Sequence, residues 1–299
     1  MSGTPDGAPS PQARSLRRGT LAAFAAYGMW GILPLYWKQL SGVGAVEVLC
    51  HRVIWSGLFL VAVLLAKGRL DEVLHIWRQR ASALAVLACS LLITVNWGIY
   101  IWAVQAGRVT ESSLGYYITP LLSVALGAFF FHERLDRWAK VSVGLALLGV
   151  AVATWRLGSL PWVAVVLSTS FALYGALKKK AGLDALSGLA AETLIAMPLA
   201  LAYLGWTGGG AILRGEPKAT ALLVLAGPVT ALPLLTFAYA AVRIPLQRLG
   251  FIQYFSPTLQ LGLGLFFMGE HLSPPMALAF GVVVAAVLLY AATRPRREG

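Results

Sequence analysis

Apolar residues in this chain come in long unbroken runs, not in the short stripes that mark one face of a soluble helix or strand. Ten runs lie near residues 18–38, 44–66, 82–104, 112–131, 138–155, 161–178, 184–204, 220–242, 248–268 and 275–293. Each is close to the length of about 20 residues that crosses a bilayer as a helix. The pattern predicts an all-α integral membrane protein with ten transmembrane helices. The polar connections are short, which leaves no room between the runs for a soluble domain.

One run is written twice. Leu114 to Leu135 reads LGYYITPLLSVALGAFFFHERL, and Phe251 to Leu272 reads FIQYFSPTLQLGLGLFFMGEHL. At a constant offset of 137 the two share nine identities in 22 positions, among them Tyr117/Tyr254, Pro120/Pro257, Gly127/Gly264 and Glu133/Glu270. The register extends back to Tyr100/Phe237 and Trp102/Tyr239, while Phe24-Ala25-Ala26-Tyr27-Gly28 returns as Phe171-Ala172-Leu173-Tyr174-Gly175 at an offset of 147. Two copies of a five-span unit follow. Five is odd, so the second copy enters the membrane from the other side, as two inverted five-helix repeats. The expected organisation is a disordered tail over 1–13, a first repeat over 14–156, a second over 157–293 and a basic tail over 294–299. A proline inside an apolar span frees a backbone carbonyl, so Pro120 and Pro257 are expected as helix-break hinges near a binding site.

Composition agrees with the pattern. The chain is 58% hydrophobic and 12% charged, about half the charge of a soluble domain. The net charge of +12 could suggest nucleic acid, but its distribution does not. With a cytoplasmic N-terminus, 18 Lys and Arg fall on the inner side and five on the outer, and Arg52 lies within a span. That asymmetry is a topology signal, and it predicts a multi-pass plasma (inner) membrane protein with both termini cytoplasmic and no nucleic-acid partner. Cys50 and Cys89 lie inside spans and point to neither a disulfide nor a metal.

Few ionisable residues lie within the runs, and each is costly there unless it meets a partner or a cavity. They are Glu47, His51 and Arg52 in the second run and Glu192 in the seventh. Aligning those runs by Ala45/Ala185 and Leu49/Leu189 sets Arg52 against Glu192. A buried Arg52–Glu192 pair is expected, with Glu47 and His51 one turn apart beside it. Such a pair is either a clasp between the repeats or a gate, proton-responsive element or substrate anchor. Asn96 and Tyr100 stand at i, i+4 beside Trp97, while Tyr116 and Tyr117 precede Pro120, and Gln253, Tyr254, Ser256 and Gln260 surround Pro257. Of these, Asn96, Trp97, Tyr100, Tyr116, Tyr117, Gln253 and Tyr254 are expected to line a cavity with apolar walls and a few oriented polar groups. Its aromatic walls suit amphipathic substrates, aromatic or cationic ones included.

No Walker loop, HExxH, CxxC or nucleophile elbow is present, so neither an enzyme nor a cofactor is expected. His132-Glu133 and Glu270-His271 resemble acid/base pairs, but their repetition just after Phe-Phe reads as a helix-end motif. The ten spans, the inverted repeat and the motifs YGMWGILPLYWKQL, AVEVLCHRVIWS, NWGIYIWAV and LGYYITPLLSVALGAFFFHERL resemble the EamA-like proteins of the drug/metabolite transporter superfamily, in the RarD-type, chloramphenicol-sensitivity group. The resemblance implies a central cavity lined by spans 1, 3, 4, 6, 8 and 9, with Trp30 added to its wall, spans 2 and 7 in support, and spans 5 and 10 peripheral. It also implies a secondary transporter that exports small amphipathic metabolites or drugs by alternating access. Its partners would be the substrate and the bilayer, with protons and a second copy of the chain as further candidates. A passive channel or a membrane scaffold or sensor stays open as the alternative. At the offset of 147 the second copy loses the Trp-Gly-x-x-Pro of the first and carries Lys178-Lys179-Lys180 instead.

Overall fold

A computed structural model describes residues 11–132, 137–208, 210–213, 215–241, 243–244 and 252–293. Among the described residues all regular structure is helical. The helices are α1 (Pro11–Lys38), α2 (Ala45–Ala66), α3 (Leu70–Arg78), α4 (Arg80–Gln105), α5 (Val109–Phe131), α6 (Arg137–Leu157), α7 (Trp162–Ala181), α8 (Ala185–Trp206), α9 (Gly210–Leu213), α10 (Pro217–Ala241), α11 (Phe255–Phe266) and α12 (Pro274–Thr293). Six of them, α2, α4, α5, α6, α8 and α10, contain spans long and apolar enough to cross a membrane, and Trp162–Lys178 and Pro274–Tyr290 are shorter apolar helices. The chain is a multi-pass membrane protein. Every expected span has a helical counterpart. The ninth departs most, because α11 is only 12 residues long. The short α3 and α9 are additional.

The helix ends follow ordinary rules. Pro11 opens α1 inside the segment expected as a tail, and proline is favoured at a first helical position because its missing N–H has no partner there anyway. α4 stops ahead of Gly107 and α7 ahead of Gly182, both left-handed with φ of 68° and 63°, the conformation that ends a helix at low cost only for glycine. Three helix starts are capped by carboxylates from elsewhere in the chain. Glu270 accepts from the N–H groups of Val109 (2.6 Å) and Thr110 (2.7 Å) at the head of α5. Glu111 accepts from Val163 N–H at the head of α7 (3.0 Å). Glu47 accepts from Ala211 N–H in α9. Each carboxylate satisfies donors that the helix itself cannot, at its positive end. The Glu270 contact bears out the helix-end reading of Glu270-His271; Glu133 lies outside the described residues.

The helices interlock across the sequence halves. α2 packs on α8 and α10, α4 on α7 and α8, α1 on α10 and α11, and α5 on α7 and α11. α6 and α12 lie mainly against each other. Two glycines allow the closest approaches to the backbone of another helix: a Cβ at Gly115 would lie 2.8 Å from the Ala164 carbonyl oxygen, and one at Gly227 would lie 2.5 Å from that of Trp55. Gly149 and Gly264 also meet neighbours, at 3.3 and 3.0 Å, whereas Gly144 and Gly262 face open space.

Candidate functional site

A cavity of about 360 Å³ opens between the helices. Its wall is mostly apolar and aromatic, drawn from α1, α2, α4, α5, α7, α8, α10 and α11 together with Gln253. α2 and α8 therefore line it directly, through Arg52, Leu60, Leu186 and Leu189, where the resemblance implied only support. Ring-to-ring contacts stiffen the wall: Tyr27 meets Trp30 at 5.2 Å, Trp30 meets Phe237 at 5.7 Å, and Tyr100 meets Tyr116 at 5.8 Å between centroids. Edge and tilted contacts of this kind hold aromatic rings in defined orientations.

Six of the eight expected cavity residues reach the wall: Trp30, Asn96, Trp97, Tyr100, Tyr116 and Gln253. Tyr117 and Tyr254 do not. They stack on each other at 5.8 Å where α5 meets α11, and Tyr117 also shares a hydrogen bond with Thr258. The reason is helical rotation: successive residues point about 100° apart, so Tyr116 takes the cavity and Tyr117 the interface. Beside them Ser113 donates to the Pro257 carbonyl at 2.7 Å. Asn96 lines the cavity while its amide donates to the Leu167 carbonyl (3.0 Å) and to Ser170 Oγ (2.9 Å), which ties α4 to α7.

The two prolines differ. Pro120 lies in the middle of an unbroken α5, whereas Pro257 lies in the first turn of α11, just after a turn at Gln253 and Tyr254. A first-turn proline removes no helical hydrogen bond, so the break precedes Pro257 instead of bending a continuous helix at it. Proline also lies inside α1, α8 and α10, at Pro34, Pro198, Pro228 and Pro233, so an internal proline does not by itself mark the duplicated element.

The expected charge network is rearranged. Arg52 and Glu192 are both buried, at 4% and 1% exposure, but they do not pair. Lys178 takes the place of Arg52, with its Nζ 3.1 Å from Glu192 Oε1. It donates at 2.7 Å to the Tyr174 hydroxyl, which in turn donates to Glu192 Oε2 at 3.0 Å. The Lys178 contact with Oε1 is off hydrogen-bonding geometry, so the link is charge pairing relayed by the phenol. Arg52 instead lies against the Trp97 ring, 4.0 Å from its centroid, and 5.1 Å from that of Trp37. Its Nε donates to Thr230 Oγ1 at 3.0 Å. Glu47 is spent on α9. His51 is buried, and its Nε2 has no partner among the described residues.

Tyr174, Lys178, Thr230 and Gln260 join the site without having been assigned to its charge network. Lys178 falls among the 18 inner-side Lys and Arg because it ends the sixth apolar run, at its inner edge. The available signal was its spacing: it stands one turn beyond Tyr174, and that tyrosine belongs to the repeated Phe-x-x-Tyr-Gly motif.

Comparison with known proteins supplies the family. The family described as "EamA-like transporter family" matches residues 17–155. An uncharacterised transporter of Bacillus subtilis, YojE, is 42% identical over 92% of this chain and 93% of its own length. Protein RarD of Streptomyces exfoliatus is 43% identical over 91% of this chain and 88% of its own. The chloramphenicol-sensitive protein RarD of Pseudomonas aeruginosa is 31% identical over 91% and 93%. A crystal structure of another protein, 21% identical, superposes with a TM-score of 0.58 over 94% of this chain and 98% of that one, which is a likeness of fold. With the cavity, the interlocked helices and these relatives together, the chain belongs to the EamA-like transporter family, in its RarD-type group.

Proposed function

We propose that this protein is a secondary transporter of the inner membrane that exports small amphipathic metabolites or drugs by alternating access. Ten spans would be arranged as two inverted five-helix repeats, residues 14–156 and 157–293, with both termini cytoplasmic. The observation that carries this reading is the composition of the cavity wall. In the 137 register Ile93 and Thr230, Trp97 and Leu234, Tyr100 and Phe237, Tyr116 and Gln253, Thr119 and Ser256, and Pro120 and Pro257 are corresponding residues, and all twelve line the cavity. Tyr27 and Tyr174 correspond at the offset of 147 and line it too.

A single cavity built from equivalent positions of two related halves is what a site between inverted repeats requires. The packing supports the same reading. Exchanging the halves turns the α5–α7 contact into α11–α1, α4–α7 into α10–α1 and α2–α10 into α8–α4, and each of these contacts exists. Rocking of the halves would then expose the cavity to one face at a time. The sequence carries no nucleotide-binding loop, so a gradient would drive the cycle. Proton coupling, if the cycle uses it, would fall to the ionisable groups within the spans, such as His51 and Glu192.

The test is uptake into inside-out vesicles of a labelled panel of amino acids, amphipathic organic acids, phenicols and quaternary amines, with and without a protonophore. Uptake above vesicles lacking the protein, with countertransport, is the expected result. Flux that saturates poorly and shows no countertransport would make the protein a channel, and no flux from folded protein would remove the transporter reading.

A further inference from the structure

Among the described residues the cavity wall carries two basic side chains, and only one has a counterion. Lys178 is matched by Glu192. Among the described residues no carboxylate pairs with Arg52, and the phenols of Tyr116, Tyr100 and Tyr36 lie near enough to act on it electrostatically. Arginine keeps its proton under all ordinary conditions, so this buried charge cannot be relieved by neutralisation. Its Nη1 is buried with no hydrogen-bond partner among the described residues. So is the hydroxyl of Tyr100 on the same cavity wall. The registers show why the first half lacks a counterion. Arg52 corresponds to Glu192, and the residue corresponding to Lys178 is Gly31, which has no side chain to offer.

We propose that Arg52 is an anion anchor, and that the cavity takes a small amphipathic carboxylate with its charged end on Arg52 and its apolar body among the aromatic rings. This rests on the reading of the cavity as a substrate site, and it replaces the expectation of a cationic substrate. A carboxylate would accept the free Nη1 donors, with the Tyr100 hydroxyl as a second donor on that wall. A charge-assisted bond to a planar guanidinium is among the strongest a protein makes. A cationic ligand would instead meet an uncompensated like charge. The opening of about 360 Å³ lies within the range of small-molecule sites. Elsewhere on the wall, Gln260 Oε1 is a buried acceptor without a donor among the described residues, suited to an N–H or O–H on the body of the acid.

The experiment uses the full chain in lipid nanodiscs and three probes of one shape: 3-phenylpropionate, 3-phenylpropionamide and 3-phenylpropylamine. Binding is followed through tryptophan emission, since Trp97 and Trp37 flank Arg52. The carboxylate is expected to bind at least about tenfold more tightly than the amide or the amine, the scale of one charge-assisted contact. Arg52→Gln should abolish that preference and Arg52→Lys should keep part of it. Equal or tighter binding of the amide or the amine overturns the proposal. So does a preference that survives Arg52→Gln, or no carboxylate binding to protein that still melts cooperatively. The wild-type comparison needs no variant to fold. Carboxylate binding without flux in proteoliposomes would remove transport and leave the anchor, whereas flux of neutral or cationic solutes alone would do the reverse.

Discussion

Arg52 and Lys178 face the same cavity from opposite halves of the chain, and the protein treats them differently. Lys178 is bound into a closed set, its charge against Glu192 and its hydrogen bond relayed through Tyr174. Arg52 has two indole faces and one threonine hydroxyl. Neither a ring quadrupole nor a neutral hydroxyl cancels a full charge, although both make its burial tolerable. A cation satisfied inside the protein belongs to the frame, while one left open is available to a ligand. The lining positions repeat between the halves and the charges do not, so the cavity is symmetric in shape and polarised in charge.

The largest effect should come from breaking the closed set. Glu192→Gln leaves the Lys178 ammonium without a counterion, and removing one member of a buried pair costs about 3 kcal/mol or more. Melting in detergent micelles should show that loss. Lys178→Met together with Glu192→Leu should lose less than the two single changes summed, because each single change strands a charge and the double change strands none. Strict additivity would mean that the two do not interact.

Arg52→Gln sharpens the contrast from the other side. Glutamine can still meet Thr230, and no carboxylate is stranded, so the expected stability cost is only about 1 kcal/mol, that of the lost cation–π contacts. If this variant melted as low as Glu192→Gln, Arg52 would be as much a part of the frame as Lys178.

The sequence made the cavity legible and left its charges partly hidden. Apolar run length located the helices because each run must satisfy its backbone internally. Internal repetition located the duplicated element, and polar and aromatic residues near the middle of the spans marked its wall: Tyr100, Tyr116 and Gln253 were readable that way, whereas the identical pair Tyr117 and Tyr254 turned to the interface. Pairing was not. Arg52 and Glu192 fall in register, but register aligns equivalent positions, and equivalent positions in two halves need not touch. Lys178 was obscured because a lysine near a span end serves topology by default. Its side chain is long enough to turn inward to Glu192, which run length cannot reveal. Glu47 misled for the converse reason: it lies in an apolar run, yet in the first turn of α2, where its carboxylate reaches the backbone of α9.

Thr230→Val tests the lesser contact of Arg52. It removes the acceptor of Nε and leaves the ring contacts and the charge, so the loss should be about 1 kcal/mol, that of one hydrogen bond. Carboxylate preference should survive it, because the anchor's charge and its Nη1 are untouched. A variant that lost binding as completely as Arg52→Gln would show that Thr230, and not the guanidinium charge, sets the ligand's position.

The smallest effect lies on α8 itself, where a second acid–base pair serves as the exposed control for Lys178–Glu192. Asp184 caps the helix through the N–H groups of Leu186 and Ser187 and lies 3.2 Å from Arg69, with both side chains more than one-third exposed. Burial works against its charge, but the backbone and hydroxyl of Ser187, the Arg69 guanidinium and the Leu186 N–H outweigh it, and the carboxyl falls below the usual aspartate range. A lowered folded value means that the stabilisation is present above the unfolded pKa of about 3.9 and is lost as pH falls through the folded one. Asparagine caps a helix about as well as aspartate, so Asp184→Asn isolates the charge. Between pH 7 and pH 3 the wild type should lose only a few tenths of a kcal/mol more than this variant, as solvent screening dictates for an exposed pair. A difference approaching that of Glu192→Gln would mean that burial is not what separates the two pairs, and the distinction drawn between Lys178 and Arg52 would then lose its physical basis.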